Sequence, residues 1–186
     1  MKFTEAPIQG VWVIEPRLFR DERGYFYESF GLKKFEEATG QKPSFVQDNH
    51  SLSTYGVLRG LHFQFGDAAQ AKLIRVLSGR VLDVVADIRK GSPTYGKTFT
   101  TELSAENKKQ LFVPRGFAHG FVTLSETCEF TYKCDNFYNA SKEGGIRFDD
   151  PDLTRDWKIP KEEIKISEKD HELPFLAQTD FEFHEA

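Results

Sequence analysis

Arg59-Gly60-Leu61-His62-Phe63-Gln64 and Pro114-Arg115-Gly116-Phe117-Ala118-His119-Gly120-Phe121 are two strand-like stretches that each carry one histidine. The second reads Pro-x-Gly-x-x-His, and the strand-rich run between the two turns tightly at Ser78-Gly79. This layout predicts a small antiparallel double-stranded barrel whose strands aim alternate side chains into a lumen. Barrels of that kind often hold a metal with a His-x-His pair, but here Gln64 stands where the second histidine would be. A lumenal imidazole without a metal to ligate is available as a base.

Outward from these stretches, strand signals run from Val11 to Phe148. Val11–Ile14 is followed by a turn at Asp21-Glu22-Arg23-Gly24 and a strand over Tyr25–Phe30. Leu32, Phe35 and Ala38 recur at helical spacing, so the reading predicts a helix over Leu32–Thr39 stopped by Gly40. Further strands are expected over Ser44–Asp48, Val57–Gln64, Lys72–Leu77, Val81–Ile88, Thr98–Leu103, Gln110–Val113, Gly120–Leu124 and Cys128–Cys134. Turn residues at 91–93 and 104–107 punctuate them, as an antiparallel sandwich or barrel requires. The charged tail from Asp149 reads as irregular, with a short helix from Lys161.

Composition narrows the function classes. A chain of 186 residues suits one domain with a sizeable core, and 18 phenylalanines against one methionine suit aromatic packing between short strands. A net charge of −4 with scattered basic residues argues against nucleic acid or an acidic membrane surface as partner. No run of about 18 apolar residues occurs, and MKFTEAPIQG lacks a signal-peptide core. Cys128 and Cys134 stand in neither CxxC nor zinc-like spacing. Together these features predict a cytoplasmic protein.

Strand alternation then sorts the polar candidates by face. In 127–135, Tyr132 falls with Cys128, Phe130 and Cys134, toward the interior. In 57–64, His62 shares its face with Leu58, Gly60 and Gln64. Lys72, on the face of Ile74 and Val76, is either an edge residue or a lumenal cation. Taken singly, each has an ordinary structural explanation: a satisfied buried histidine, a tyrosine with a partner, a snorkelling lysine. Gathered with His119 in one lumen, they form a base, an acid and a cation, as needed for proton abstraction beside a carbonyl. A metal site would have His62 and His119 with Gln64 as a poor third ligand, and Asp83 and Asp87 read as ordinary alternating polar positions.

The runs QDNHSLSTYGVLRGLHFQ, AKLIRVLSGRVLDVVADIRKGSPTYGK, LSAENKKQLFVPRGFAHGFVTLS, EFTYKCDNFY and FDDPDL resemble the dTDP-4-dehydrorhamnose 3,5-epimerase family. The likeness extends from GVWVIEPRLFRDERGYFYESF to the SEKDHELP tail, though the loop 65–71 departs from the Pro-rich, Gly-ending stretch usual before the lysine. It implies an all-β, double-stranded β-helix (jelly-roll, cupin-type) barrel with a few short peripheral helices, as a single domain over residues 1–186. The N-terminal arm (about 1–30) would serve a homodimer, and the tail (149–186) would pack outside the barrel. The implied reaction inverts C3 and C5 of dTDP-4-dehydro-6-deoxyglucose without a cofactor or metal. Inversion at one carbon only, or sugar-nucleotide binding without catalysis, remain the alternatives.

By motif position the resemblance makes His62 the general base, Tyr132 the general acid, Lys72 the enolate stabiliser and Asp170 the carboxylate that charges the histidine. Arg23, Glu28, Gln47, Asn49, Arg59, His119 and Glu143 match nucleotide-sugar contacts, Tyr138 an aromatic that stacks on thymine, and Lys169 a further contact. Phe19, Arg23 and Phe26 would serve the partner's site.

Overall fold

A computed structural model describes residues 1–153 and 155–181. Residues 154 and 182–186 of the expected tail lie outside the described residues. The strands are β1 (Lys2–Glu5), β2 (Trp12–Glu15), β3 (Phe19–Asp21), β4 (Gly24–Phe26), β5 (Gln47–Thr54), β6 (Leu58–Gln64) and β7 (Lys72–Ser78). They continue as β8 (Arg80–Asp87), β9 (Thr98–Ser104), β10 (Gln110–Val113), β11 (Phe117–Thr123), β12 (Thr127–Cys134) and β13 (Glu143–Gly145). The two α-helices are α1 (Leu32–Thr39) and α2 (Glu168–His171). The fold is therefore mostly β with a few short helices, as expected, and no described helix is long and apolar enough to cross a membrane.

The strands form a six-stranded sheet, β1-β2-β10-β7-β12-β5, a five-stranded sheet, β13-β6-β11-β8-β9, and the β3–β4 hairpin. Period-2 alternation sends Ile74, Val76, Leu111 and Phe130 of the first sheet against Val81, Val85, Phe117 and Phe121 of the second, forming a shared inner core. The outer face of the six-stranded sheet is covered by α1, whose Phe35 packs on Leu73 and Phe112. The outer face of the five-stranded sheet carries Leu58, Leu61, Leu82 and Val84, covered by Phe148 and the tail residues Leu153 and Leu176.

α1 begins and ends where the helical spacing predicts, with Gly40 in the left-handed region as its stop. Gly79 makes the β7–β8 turn at φ +76°, where an added Cβ would meet Thr127 O at 2.1 Å. Four expectations need correction. The strand expected at Ser44–Asp48 is Gln47–Thr54, the one expected at Tyr25–Phe30 is the tight hairpin 19–26, and β11 starts at Phe117 rather than Gly120. The helix expected from Lys161 is one 3-10 turn over Lys161–Glu163.

A fifth correction concerns β6. His62 pairs with His119 but Arg59 pairs with Phe121, so one extra residue of β6 is accommodated there. The bulge breaks the alternation: Arg59 joins His62 and Gln64 on the cleft side, while Leu58 goes to the outer cluster. Gly60, at φ +122°, sits so near β11 that a Cβ would lie 2.6 Å from Gly120 Cα.

Candidate active site

Between the two sheets, at the end bounded by α2, lies a cleft of about 710 Å³. β6 and β11 supply His62 and His119, β7 and β12 supply Lys72 and Tyr132, and α2 supplies Lys169 and Asp170. Arg59, Asn49, Tyr138 and Glu143 complete the predicted residues that line it, and Gln64, expected only as a poor metal ligand, lines it too.

His62 Nε2 lies 2.7 Å from Asp170 Oδ1. Burial works against the charge of Asp170, but hydrogen bonds from His62, the Gly60 amide and Ser167 outweigh it and hold its carboxyl below the usual range. A carboxylate so held accepts, so Nε2 carries the proton and Nδ1 keeps its lone pair. Asp170 itself is set by its helix: Ser167 caps α2 by accepting from Asp170 N at 3.2 Å.

Lys72 proves to be a buried residue lining the cleft rather than an edge residue, because β7 has β10 on one side and β12 on the other. Its Nζ stands 3.4 Å from His62 O and 5.7 Å from the Tyr132 ring centroid. Burial pushes its pKa down, opposed by the charges of Cys134, Asp83 and Glu143. Tyr132 faces inward with Phe130 as predicted, and burial pushes its pKa up to about 12. It therefore remains a phenol, a proton donor rather than an anion, across the ordinary pH range.

His119 Nε2 lies 3.0 Å from each carboxylate oxygen of Asp83. Asp83 and Asp87 are fully buried rather than ordinary alternating positions. Asp83 sits between Val81 and Val85 on the inward face of β8, and that apolar company was the signal for its burial. Asp87 is taken up by Arg89, Ser92 and Thr94. Among the described residues, no three His, Cys, Asp or Glu side chains gather as metal ligands.

The mouth of the cleft is held by polar contacts. Glu143 Oε2 accepts from Tyr138 OH at 2.9 Å and from Lys169 Nζ at 2.6 Å. Burial opposes its charge, yet these two donors keep its pKa below the usual value. Arg59 donates to Ser53 Oγ at 3.1 Å. Gln47 does not line the cleft; its side chain bonds Asn49 and the Tyr138 amide. Gln70, Ser167 and Lys165 line the cleft without having been anticipated as site residues. Gln70 lies in the divergent loop 65–71 and Ser167 in the SEKD run, which were the available signals.

Arg23, Glu28, Phe19 and Phe26 do not reach this cleft. Arg23 pairs with Asp21 and Glu28 with Lys34, while Phe19 and Phe26 face each other across the hairpin, both exposed.

A family model described as dTDP-4-dehydrorhamnose 3,5-epimerase matches residues 5–178. The enzyme of that name from Salmonella typhimurium is 52% identical over 178 residues, covering 96% of this chain and 97% of that one. The crystal structure of the Elizabethkingia anophelis enzyme superposes with TM-score 0.94 at 57% identity, covering 97% and 99% of the two chains. The dTDP-6-deoxy-D-glucose-3,5-epimerase of Legionella pneumophila, solved in complex with dTDP-4-keto-L-rhamnose, gives TM-score 0.93 at 44% identity, covering 100% and 99%.

Proposed function

The chain belongs to the dTDP-4-dehydrorhamnose 3,5-epimerase family, and on that premise we propose that His62 is the base of an epimerisation carried out in the cleft. The protein is an isomerase, converting dTDP-4-dehydro-6-deoxy-D-glucose to dTDP-4-dehydro-L-rhamnose by inverting C3 and C5. Both carbons are alpha to the C4 ketone, which acidifies their protons. His62 Nδ1 takes the proton, and the bond from Nε2 to Asp170 stabilises the imidazolium that forms. Lys72 stabilises the enolate oxygen from the buried floor of the cleft, where a charge is least screened. Tyr132 then returns a proton to the opposite face, and Arg59 and Lys72 offset the phenolate left behind. Before the cycle repeats at the second carbon, the His62 imidazolium releases its proton to solvent and the Tyr132 phenolate takes one up, and neither step needs a cofactor.

We further assign Arg59, Asn49, His119, Glu143 and Lys169 to holding the sugar and diphosphate, and Tyr138 to the base. Gln47 acts on Tyr138 through its amide. The two-sheet architecture fits a cupin-type jelly-roll barrel forming one domain, at work in the cytoplasm. The exposed hairpin residues Phe19, Arg23 and Phe26, with Glu28, fit a homodimer in which the N-terminal arm completes the partner's cleft.

The observation that carries the catalytic roles is the His62 imidazole held by the Asp170 carboxyl in one cleft with the buried Lys72 and the Tyr132 phenol. Incubation with the substrate in D₂O, followed by NMR, should place deuterium at both C3 and C5. Label at one carbon would reduce the activity to a single-site epimerase, and label at neither would remove the base assignment.

A further inference from the structure

The segment 135–139, which carries Tyr138 over the cleft mouth, belongs to no helix or strand. A loop of this kind must find partners for its main-chain groups elsewhere. Three glutamines from three separate segments supply them. Gln70 Nε2 donates to Asn136 O at 2.8 Å, Gln47 Oε1 accepts from Tyr138 N at 3.2 Å, and Gln64 Oε1 accepts from Asn139 N at 2.9 Å. Gln64 is the buried member, and it lies on β6 opposite Glu143, the residue that accepts from the Tyr138 hydroxyl. The Tyr138 ring is thus tied at its backbone and at its tip, while half of it stays open to the cleft mouth.

We propose that Gln64 is a positioning residue for substrate binding: its amide oxygen fixes the main chain beside Tyr138 and thereby aims that ring at the nucleotide. Gln47 and Gln70 support the same loop from its other sides. A neutral amide suits the place, because an acidic acceptor here would stand directly across from Glu143. The proposal rests on the assignment of Tyr138 to the nucleotide base.

Gln64→Met keeps the side-chain length and removes the acceptor, leaving the Asn139 amide without its partner. Titration with dTDP should then give a Kd raised about tenfold, with KM following and kcat held within about twofold. In a Tyr138→Ala background the same substitution should add nothing, since the two act through one ring. Additive effects, an unchanged Kd, or a fall in kcat at constant KM would each overturn the proposal. If Tyr138→Ala alone leaves dTDP affinity unchanged, the assignment of Tyr138 fails, and the role of Gln64 falls with it. Should Gln64→Met not fold, Gln47→Ala removes the acceptor for Tyr138 N from a half-buried position and must give the same rise and the same non-additivity.

Discussion

Two histidine–aspartate pairs meet across β6 and β11, and they are built in different ways. In the first, His62 Nε2 makes one short contact of 2.7 Å to an aspartate 108 residues away, on the C-terminal tail. In the second, His119 Nε2 makes two contacts of 3.0 Å to Asp83, which comes from the neighbouring strand of the same sheet. The side chain of His62 is 29% exposed and that of His119 only 7%. The same two residue types thus serve opposite ends. A sealed pair fixes an imidazole as a donor of form and position. A pair open on one side fixes one nitrogen and leaves the other to exchange protons with whatever enters the cleft.

The contrast breaks first at the histidines. His62→Ala should reduce deuterium exchange into the substrate by about 10³-fold, within the usual range for a lost general base, while dTDP binding changes little. His119→Ala should raise KM and slow exchange by about tenfold at most. Equal losses of exchange from the two variants would erase the functional distinction between the pairs. The measurement is NMR exchange in D₂O, with calorimetry on dTDP as the binding control.

At the carboxylates the ordering should reverse according to what is measured. Asp170→Asn can still hydrogen-bond the ring but favours the wrong tautomer, so exchange should fall about 10²-fold or more. Asp83→Asn should slow exchange only a few-fold, yet it perturbs a fully buried carboxylate and should destabilise the fold by about 1–3 kcal/mol. Thermal melting and exchange rates on the same two proteins test both halves. A variant at Asp83 that melts like wild type would remove the structural reading of the sealed pair.

Much of this arrangement was legible in the sequence, for identifiable reasons. α1 carries a clean helical repeat closed by glycine, β7 and β8 are largely apolar runs, β12 alternates apolar and polar residues, and turn residues bound these strands and β9. Alternation alone put Tyr132 inside. β5 was misplaced because its sequence, QDNHSLST, is polar and poor in strand formers; it forms at the sheet edge by pairing with β12. β13 reads Glu-Gly-Gly and becomes a strand only by pairing with β6. The bulge at Gly60 could not be seen, because alternation assumes an unbroken register. Asp170 was visible only by resemblance, since no local pattern links it to a histidine 108 residues away. Gln64 was read as a missing ligand, whereas the structure gives its amide a partner of its own.

The smallest effect lies in acid, and it tests whether the open pair holds a real charge. The carboxyl of Asp170 titrates below its ordinary value of 3.8 in the folded protein, because the donors of His62, Gly60 and Ser167 outweigh the penalty of burial. A group with a depressed folded-state pKa stabilises the fold wherever it is ionised, and loses that contribution as pH falls through the folded value. The urea midpoint of wild type should therefore exceed that of Asp170→Asn wherever Asp170 is ionised. The gap should narrow once the pH drops below about 4, as Asp170 becomes protonated and resembles the neutral amide. A gap that stays constant into acid would mean that Asp170 contributes by shape rather than charge. His62 would then lack the anionic partner that distinguishes it from a histidine held only for structure.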